Sequence, residues 1–431
     1  MNWYFDTDPE FQKQLDWMDS FVTEEIEPID HVIAHPYDTS DPLRNALIKP
    51  LQQQVKERGL WAAHLGPNLG GLGFGQLKLA LMNEILGRST AAPVVFGCQA
   101  PDSGNAEILA HFGSDALKDR YLEPLLAGDI VSCYSMTEPQ GGTDPTQFVT
   151  RAERDGDEWV INGEKWFSSH ARYAAFLLAI VVTELDNPPH QRLSALVIPK
   201  ETAGLEIVRN TGVWGERESE GTHAYVRYNE VRVPADHLLG QRGGGFLVAQ
   251  TRLGGGRIHH AMRTVGRVKW ALDRMCERAV SRTTTRGESL ARQQLVQEMI
   301  AESWIEIEQF RLLVLQTAWK IDRYNDYKHV LTDISAVKAA MPRVLNNVAS
   351  RAVQIHGSLG ISNEMPFGEM VLESFHMGLA DGATEIHKVT LARQILKKYA
   401  PSGSLFPAYH LPQVRSAAEK KYAGQIATRG D

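Results

Sequence analysis

The stretch YSMTEPQGGTDP, residues 134 to 145, marks the point where the chain changes its hydrophobic period. Ahead of it, from residue 9 to about 132, segments such as QLKLALMNEILGRS and GNAEILAHFGSDALKDRYLEPLLAG carry apolar residues three and four apart, the spacing of amphipathic helices. Behind it, to about 240, EWVINGEKWFSS, AFLLAIVVTE, LSALVIPK, LEIVRN and AYVRYNEVRVP are short, rich in β-branched and aromatic residues, and bounded by Gly, Pro, Asn and Asp. They predict a β domain. From about 246 to 400 the helical period returns, most clearly where Val330, Ile334, Val337, Met341, Val344, Val348, Ala352 and Ile355 share a face closed by Gly357. Pro342 within that run predicts a kink or a division. The chain therefore reads as α+β and mostly α, with a helical domain over 1–132, a β domain over 133–245, a second helical domain over 246–400 and a loosely packed extension over 401–431.

With 431 residues, 43% apolar and 23% charged, the chain can bury a large core in more than one domain. Its 45 Lys+Arg against 52 Asp+Glu give a net charge of -7, which argues against nucleic acid or an anionic membrane as partner. An anionic ligand then needs a local cluster of basic residues. Cys98, Cys133 and Cys276 are odd in number and lack a CxxC spacing, so a disulfide framework and a zinc ribbon are both disfavoured and a reducing compartment fits. The start, MNWYFDTDPEF, is acidic and has no basic region followed by an apolar core, which leads to the expectation of a soluble cytoplasmic protein without a secretory signal. The longest apolar run, Tyr173 to Val182, is about half of what a membrane span needs and reads as a buried strand.

Several chemistries find no motif. There is no GxxxxGK[ST] phosphate loop, no HExxH pair and no GxSxG elbow. GGLGFG at 70–75 has the wrong spacing for a dinucleotide fingerprint and lies in a helical region. His259 and His260 are adjacent, lack a partner four residues on, and point to different faces of a helix, so they read as packed or solvated helix-start histidines and not as metal ligands. No metal is expected.

What remains is a set of turns. A Gly/Pro-rich loop such as YSMTEPQGGTDP has an ordinary structural reading, but it can also present backbone N–H groups to an anion or an electron-rich ring, with Thr137 and Thr143 adding hydroxyls. The order of segments is more specific than the loop. Helices, this loop, INGEKWFSS, the β domain, GGGRIHHAMRTVG, SRTTTRG, QIHGSLGIS and ADGATEIHK follow one another over residues 10 to 400. That series resembles the acyl-CoA dehydrogenase family of flavoenzymes, and GRIHHAMR with an acid at 381 is most similar to the branch containing family members ten and eleven. The kinase-like domains of that branch find no room in this chain.

The resemblance implies an N-terminal helical domain, a middle β-barrel-like domain and a C-terminal four-helix bundle, with FAD held between the latter two and across a dimer interface. It lays Tyr134, Ser135, Met136 and Thr137 along the flavin ring, puts Thr143 by the coenzyme A thioester arm, and gives Phe167 and Ser169 the positions of a family tryptophan and of a threonine facing flavin N5. Arg282 and Thr284 match residues at the FAD pyrophosphate, where an arginine fork suits phosphate oxygens. Gln293, Gln354 and Gly357 match residues reaching FAD from a neighbouring subunit. Ser358, Ala383 and Glu385 complete the cofactor set; Ser358 replaces a family glycine, Ala383 a threonine, and Thr285 and Arg286 a phenylalanine and glycine. Arg257 and Gly382 join Thr143 on the substrate side, Arg257 beside the coenzyme A moiety.

The implied reaction is α,β-desaturation of an acyl-CoA thioester: a base removes an α-proton while the β-hydrogen leaves as hydride. Some members carry the base on the helix of GGGRIHH, but the matching position here is Gly256. Asp381 falls 21 residues after Gly360, where the family has glutamate, and is the implied base. It also has a simpler reading as a helix N-cap. As a base, its desolvation is expected to raise its pKa toward working pH. The implied partners are acyl-CoA, an electron-transfer flavoprotein and further copies of the chain in a dimer or tetramer. A related flavin oxidase, of acyl-CoA or nitroalkane type, and a catalytically silent binding module stay open.

Overall fold

The computed structural model describes residues 7–66, 71–213, 216–325 and 327–428. Before the first strand come α1 (Pro9–Phe21), α2 (Pro42–Glu57), α3 (Gly75–Leu86), α4 (Ala92–Val95), α5 (Asp102–Phe112), α6 (Asp115–Leu117) and α7 (Glu123–Ala127). Asp8 and Asp41 start α1 and α2 in the same way: each carboxylate accepts a backbone N–H at 2.9 Å, from Phe11 and Leu43, and each is followed by proline at the first helical position.

The loop after α7 leads into β1 (Ser132–Ser135), β2 (Arg151–Asp155), β3 (Glu158–Ser169), β4 (Phe176–Val182), β5 (Leu193–Pro199), β6 (Leu205–Thr211), β7 (His223–Pro234) and β8 (Leu238–Leu239). They form one sheet in the order β6-β7-β3-β1-β4-β5-β8, with β2 in the same lane as β1 between β3 and β4. The β4 residues are all buried, as the apolar run predicts. Alternate β4 residues serve two cores. Phe176, Leu178 and Ile180 pack with Ile108 and Leu109 of α5, while Leu177, Ala179 and Val181 pack with Trp159, Ile161, Val226 and Val231 of β3 and β7. The sheet thus wraps onto itself in a barrel-like manner, although its pairing path stays open at β6 and β8.

After the sheet come α8 (Gly245–Ser281), α9 (Gln294–Tyr324), α10 (Tyr327–His356), α11 (Ser358–Ile361), α12 (Phe367–Leu379) and α13 (Thr384–Leu396). Packed on all sides by α8, α9, α12 and α13, α10 runs through Pro342 without a break. The predicted division does not occur, because burial of its stripe outweighs the roughly 3 kcal/mol that a mid-helix proline costs. The first and last helical regions share one core, from Met18 and Met82 to Val265 and Val348. Two glycines make that possible where α3 crosses α8: a Cβ on Gly87 would lie 2.1 Å from the Arg263 carbonyl oxygen, and one on Gly266 would lie 1.9 Å from that of Glu84. Beyond residue 400, α14 (Leu411–Lys421) and α15 (Ala423–Ala427) are helical but bury no residue, so the extension is more ordered locally than its sequence indicates. Among the described residues no helix is long and apolar enough to cross a membrane.

Candidate active site

The site begins on the sheet. Tyr134 of β1 is the register partner of Ser169 on β3, and Ser169 is the register partner of His223 on β7. A bulge between Lys165 and Ser168 interrupts that last pairing, and Phe167 within it adopts a left-handed φ of +52°. Bulges re-aim side chains, and here the ring of Phe167 is left 40% exposed.

The loop following β1 is held from beneath by a buried ion pair. Lys165 Nζ lies 2.8 Å from Glu138 Oε1, with both side chains fully buried, and also donates to the Met136 carbonyl at 2.8 Å. The remaining Glu138 lone pairs accept N–H groups from Val149 (2.7 Å) and Thr150 (3.0 Å). Burial pushes the Glu138 carboxyl up, but Lys165 and these N–H groups outweigh it and hold it below its ordinary value. Burial lowers the Lys165 ammonium to about 8. Met136 and Thr137 are thereby fixed half-buried at the sheet, while Thr143 stands exposed on the turn after Gly142.

The second component is the corner between α12 and α13. Asp381 has φ +54° and Gly382 φ +100°. For a residue with a Cβ the left-handed region is costly and persists only when its surroundings enforce it. They do so through the main chain: Arg257 Nη2 donates to the Asp381 carbonyl at 3.3 Å, His387 Nε2 lies 3.3 Å from the same oxygen, and Thr384 Oγ1 donates to the Gly378 carbonyl at 3.1 Å. The N-cap of α13 is Ala383, without a side-chain cap. Asp381 is therefore not the helix cap.

The electrostatics of the corner correct the sequence-based expectation. Burial does push the Asp381 carboxyl up, but His260, Arg252, Lys338 and Arg257 together hold it below the ordinary aspartate value. Burial in turn lowers the His260 imidazole, although the Asp381 carboxylate opposes it, and the two arginines and Lys338 bring further positive charge to the corner. Lys338 is itself lowered to about 8 by burial, and its ammonium is tied to the Met377 carbonyl. His259 and His260 are not at a helix start but well inside α8.

Two of these residues were invisible as motifs. Arg252 lies five residues before Arg257 on α8, with its guanidinium 3.9 Å over the Tyr134 ring and its Nε donating to Asn105 Oδ1 at 3.1 Å. Lys338 is 3% exposed. Its sequence signal is a lysine set four residues after Ile334 in the buried stripe of α10.

The phosphate-type residues collect elsewhere. Arg282 follows the last residue of α8, and a Cβ on Gly357 would lie 3.6 Å from Arg282 Nη1. Thr284 sits in a tight turn closed by its N–H to the Glu288 carbonyl at 2.7 Å. Arg282, Gln293, Gln354 and Ser358 are all exposed. Arg257 lies within α8 and Arg282 caps its C-terminal end 25 residues further on, about 38 Å at the helical rise. The structure therefore splits the expected site residues into a ring-and-acid group, comprising Tyr134, Met136, Thr137, Phe167, Ser169, Arg257, Asp381, Gly382 and Ala383, and a remote Arg282–Gly357 group, while Glu385 stands exposed in the first turn of α13.

Family models describing the N-terminal, middle and C-terminal domains of acyl-CoA dehydrogenase match residues 8–129, 133–231 and 243–396. The chain belongs to the acyl-CoA dehydrogenase family. Within it, acyl-CoA dehydrogenase family member 11 of Rattus norvegicus is 37% identical over 399 residues, covering 90% of this chain and 51% of that protein. FadE2 of Mycobacterium tuberculosis, named a probable acyl-CoA dehydrogenase, is 40% identical over 369 residues, 85% of this chain and 88% of its own. The chain thus spans about half the length of the family member 11 relatives and most of FadE2. A solved acyl-CoA dehydrogenase-like chain from Mycobacterium abscessus is 35% identical with a TM-score of 0.84, covering 92% of this chain and all of that one. The glutaryl-coenzyme A dehydrogenase complex with glutaryl-CoA is 25% identical with a TM-score of 0.77, covering 93% of this chain and 98% of that chain.

Proposed function

We propose that this chain is an FAD-dependent acyl-CoA dehydrogenase in which Asp381 removes the α-proton of an acyl-CoA thioester. The observation that carries this reading is the position of Arg252. Its guanidinium lies over Tyr134, and its charge acts on the Asp381 carboxylate, so the ring-facing loop and the acid corner share one site.

The residues present fit FAD. The open edge at Phe167 and Ser169 offers a ring face and a hydroxyl, and the exposed Arg282 beside Gly357, which has no Cβ to block approach, suits a pyrophosphate. When bound, FAD supplies the acceptor for the β-hydrogen. The protein supplies the rest. Asp381 is ionised at neutral pH and ready to accept a proton, and entry of an acyl chain removes water from the corner and raises its basicity. Arg257, held against the Asp381 main chain, serves this corner before it serves coenzyme A.

Because about 38 Å separates the two groups along α8, one FAD cannot touch both in one chain. A symmetric dimer brings the Arg282–Gly357 group of one copy to the ring-and-acid group of the other. We assign an electron-transfer flavoprotein as acceptor of the electrons. The test is anaerobic titration of the flavin-loaded protein with a panel of acyl-CoAs. Bleaching of the flavin by at least one of them is expected. A flavin that none bleaches would reduce the chain to a silent binding module, and hydrogen peroxide formed in air without added acceptor would make it an oxidase.

A further inference from the structure

Ser169 has a partner that the family resemblance does not supply. Nδ1 of His223 stands 2.9 Å from Ser169 Oγ. Register partners on antiparallel strands present their side chains to the same face. Tyr134, Ser169 and His223 therefore form a row across β1, β3 and β7 with the hydroxyl in the middle. The imidazole has little freedom to turn. It is 8% exposed, Phe167 stacks on it with ring centroids 5.0 Å apart and planes 27° apart, and His376 of α12 faces it at 5.5 Å.

Burial lowers His223 to about 4, so it is neutral at working pH. A neutral imidazole has one N–H and one bare nitrogen. At Nδ1 it either takes the hydroxyl proton of Ser169 or donates its own, and in both cases the direction of that hydroxyl is set. A flavin edge accepts a hydrogen bond when oxidised and donates one when reduced. A hydroxyl whose proton is committed to His223 offers lone pairs and favours the reduced form; one whose lone pair is committed offers its proton and favours the oxidised form.

We propose that His223 is a positioning residue for the cofactor: it fixes which way the Ser169 hydroxyl points and so sets the reduction potential of the bound flavin. The proposal rests on the FAD reading above. The midpoint potential of the flavin-loaded protein is to be measured in the wild type, His223→Leu, His223→Asn, Ser169→Ala and the Leu/Ala double variant. His223→Leu is expected to shift the two-electron equilibrium on the order of tenfold, about 30 mV, and the sign reports which partner holds the proton. His223→Asn, whose amide reaches the Nδ1 position, is expected to keep the wild-type potential. Since His223 acts through Ser169, the double variant is expected to shift no further than Ser169→Ala alone. Should His223→Leu fail to fold, His223→Gln, whose amide reaches toward Nε2 instead, takes its place with the same expectation. An unchanged potential, or fully additive shifts, overturns the assignment while leaving the FAD reading intact. A folded protein unable to bind FAD overturns both.

Discussion

The Arg257 guanidinium donates to the main-chain carbonyl of Asp381 at 3.3 Å and not to its carboxylate. A charged donor is thus used to hold a left-handed backbone corner, leaving the acid itself to the site. Arg257→Ala is expected to let the corner relax. A misplacement of about 1 Å at a reacting group costs on the order of 100-fold, so kcat is expected to fall by about that factor while FAD stays bound and the affinity for acyl-CoA changes less. Stopped-flow reduction of the flavin, with separate measurement of acyl-CoA binding, distinguishes the two effects. A large loss of affinity with unchanged kcat would return Arg257 to the coenzyme A contact that its motif implies.

Asp381→Asn keeps size and polarity and removes the proposed base. A positioned base contributes roughly 100- to 10,000-fold. The Asn variant is expected to be folded, yellow and able to bind acyl-CoA, with flavin reduction slower by a factor in that range. Reduction at nearly the wild-type rate would leave Asp381 as a structural corner only.

The fold was legible because its signals are local. The change of period at Tyr134, the apolar run from Phe176 to Val182 and the stripe from Val330 to Ile355 each name an element type from neighbouring residues alone. The acid at 381 was legible as part of an ordered series of motifs. Its charge state was not. Asp381 is held low by His260, Arg252, Lys338 and Arg257, which arrive from α8 and α10, and neither Arg252 nor Lys338 belongs to a recognisable pattern. The Glu138–Lys165 pair was missed for the same reason: 27 residues separate its partners, and only the pairing of the strands brings them together.

That pair yields a stability prediction. Lys165→Met leaves the Glu138 carboxylate buried without its cation, a change that costs about 3–5 kcal/mol in comparable buried pairs. It also releases the Met136 carbonyl, so looser flavin binding is expected alongside a lower melting temperature. Adding Glu138→Gln removes the stranded charge and is expected to recover part of the loss. Denaturant unfolding of the wild type and the single and double variants measures this, and equal stability of all of them would show that the pair contributes nothing.

Stability is expected to fall in mild acid. Burial lowers His35, His64, His223, His260 and His387 to about 4 in the folded chain. Unfolded imidazoles titrate near 6.5, so between these values the unfolded chain binds more protons and stability decreases as pH drops. Three carboxyls oppose this, because burial raises Asp102 to about 6 and Glu107 to about 7 and also pushes Glu27 up. Burial also holds His170 and His259 well below the ordinary imidazole value, so the histidines outnumber the opposing carboxyls and unfolding near pH 5 takes up protons on balance. Melting temperature is thus expected to be highest above about pH 6.5 and to decline steeply toward pH 4.5; a flat profile over that interval would show that these histidines are charged in the fold.

The shared site can be tested by complementation. If FAD lies between the ring-and-acid group of one copy and the Arg282–Gly357 group of another, Arg282→Glu impairs the site belonging to the partner, whereas Asp381→Asn impairs the chain's own. Each homodimer then carries two defective sites. In a mixed dimer one site combines the intact acid of the Arg282→Glu copy with the intact Arg282 of the Asp381→Asn copy, and the other site carries both defects. Unfolding the two inactive variants together and refolding them is expected to restore activity. Random pairing makes half of the dimers mixed, each with one good site of two, so about a quarter of the wild-type value is expected for subunits that assemble as symmetric dimers. No recovery in refolded, flavin-loaded mixed dimers would place both groups on the same FAD within one chain, against the separation of about 38 Å along α8.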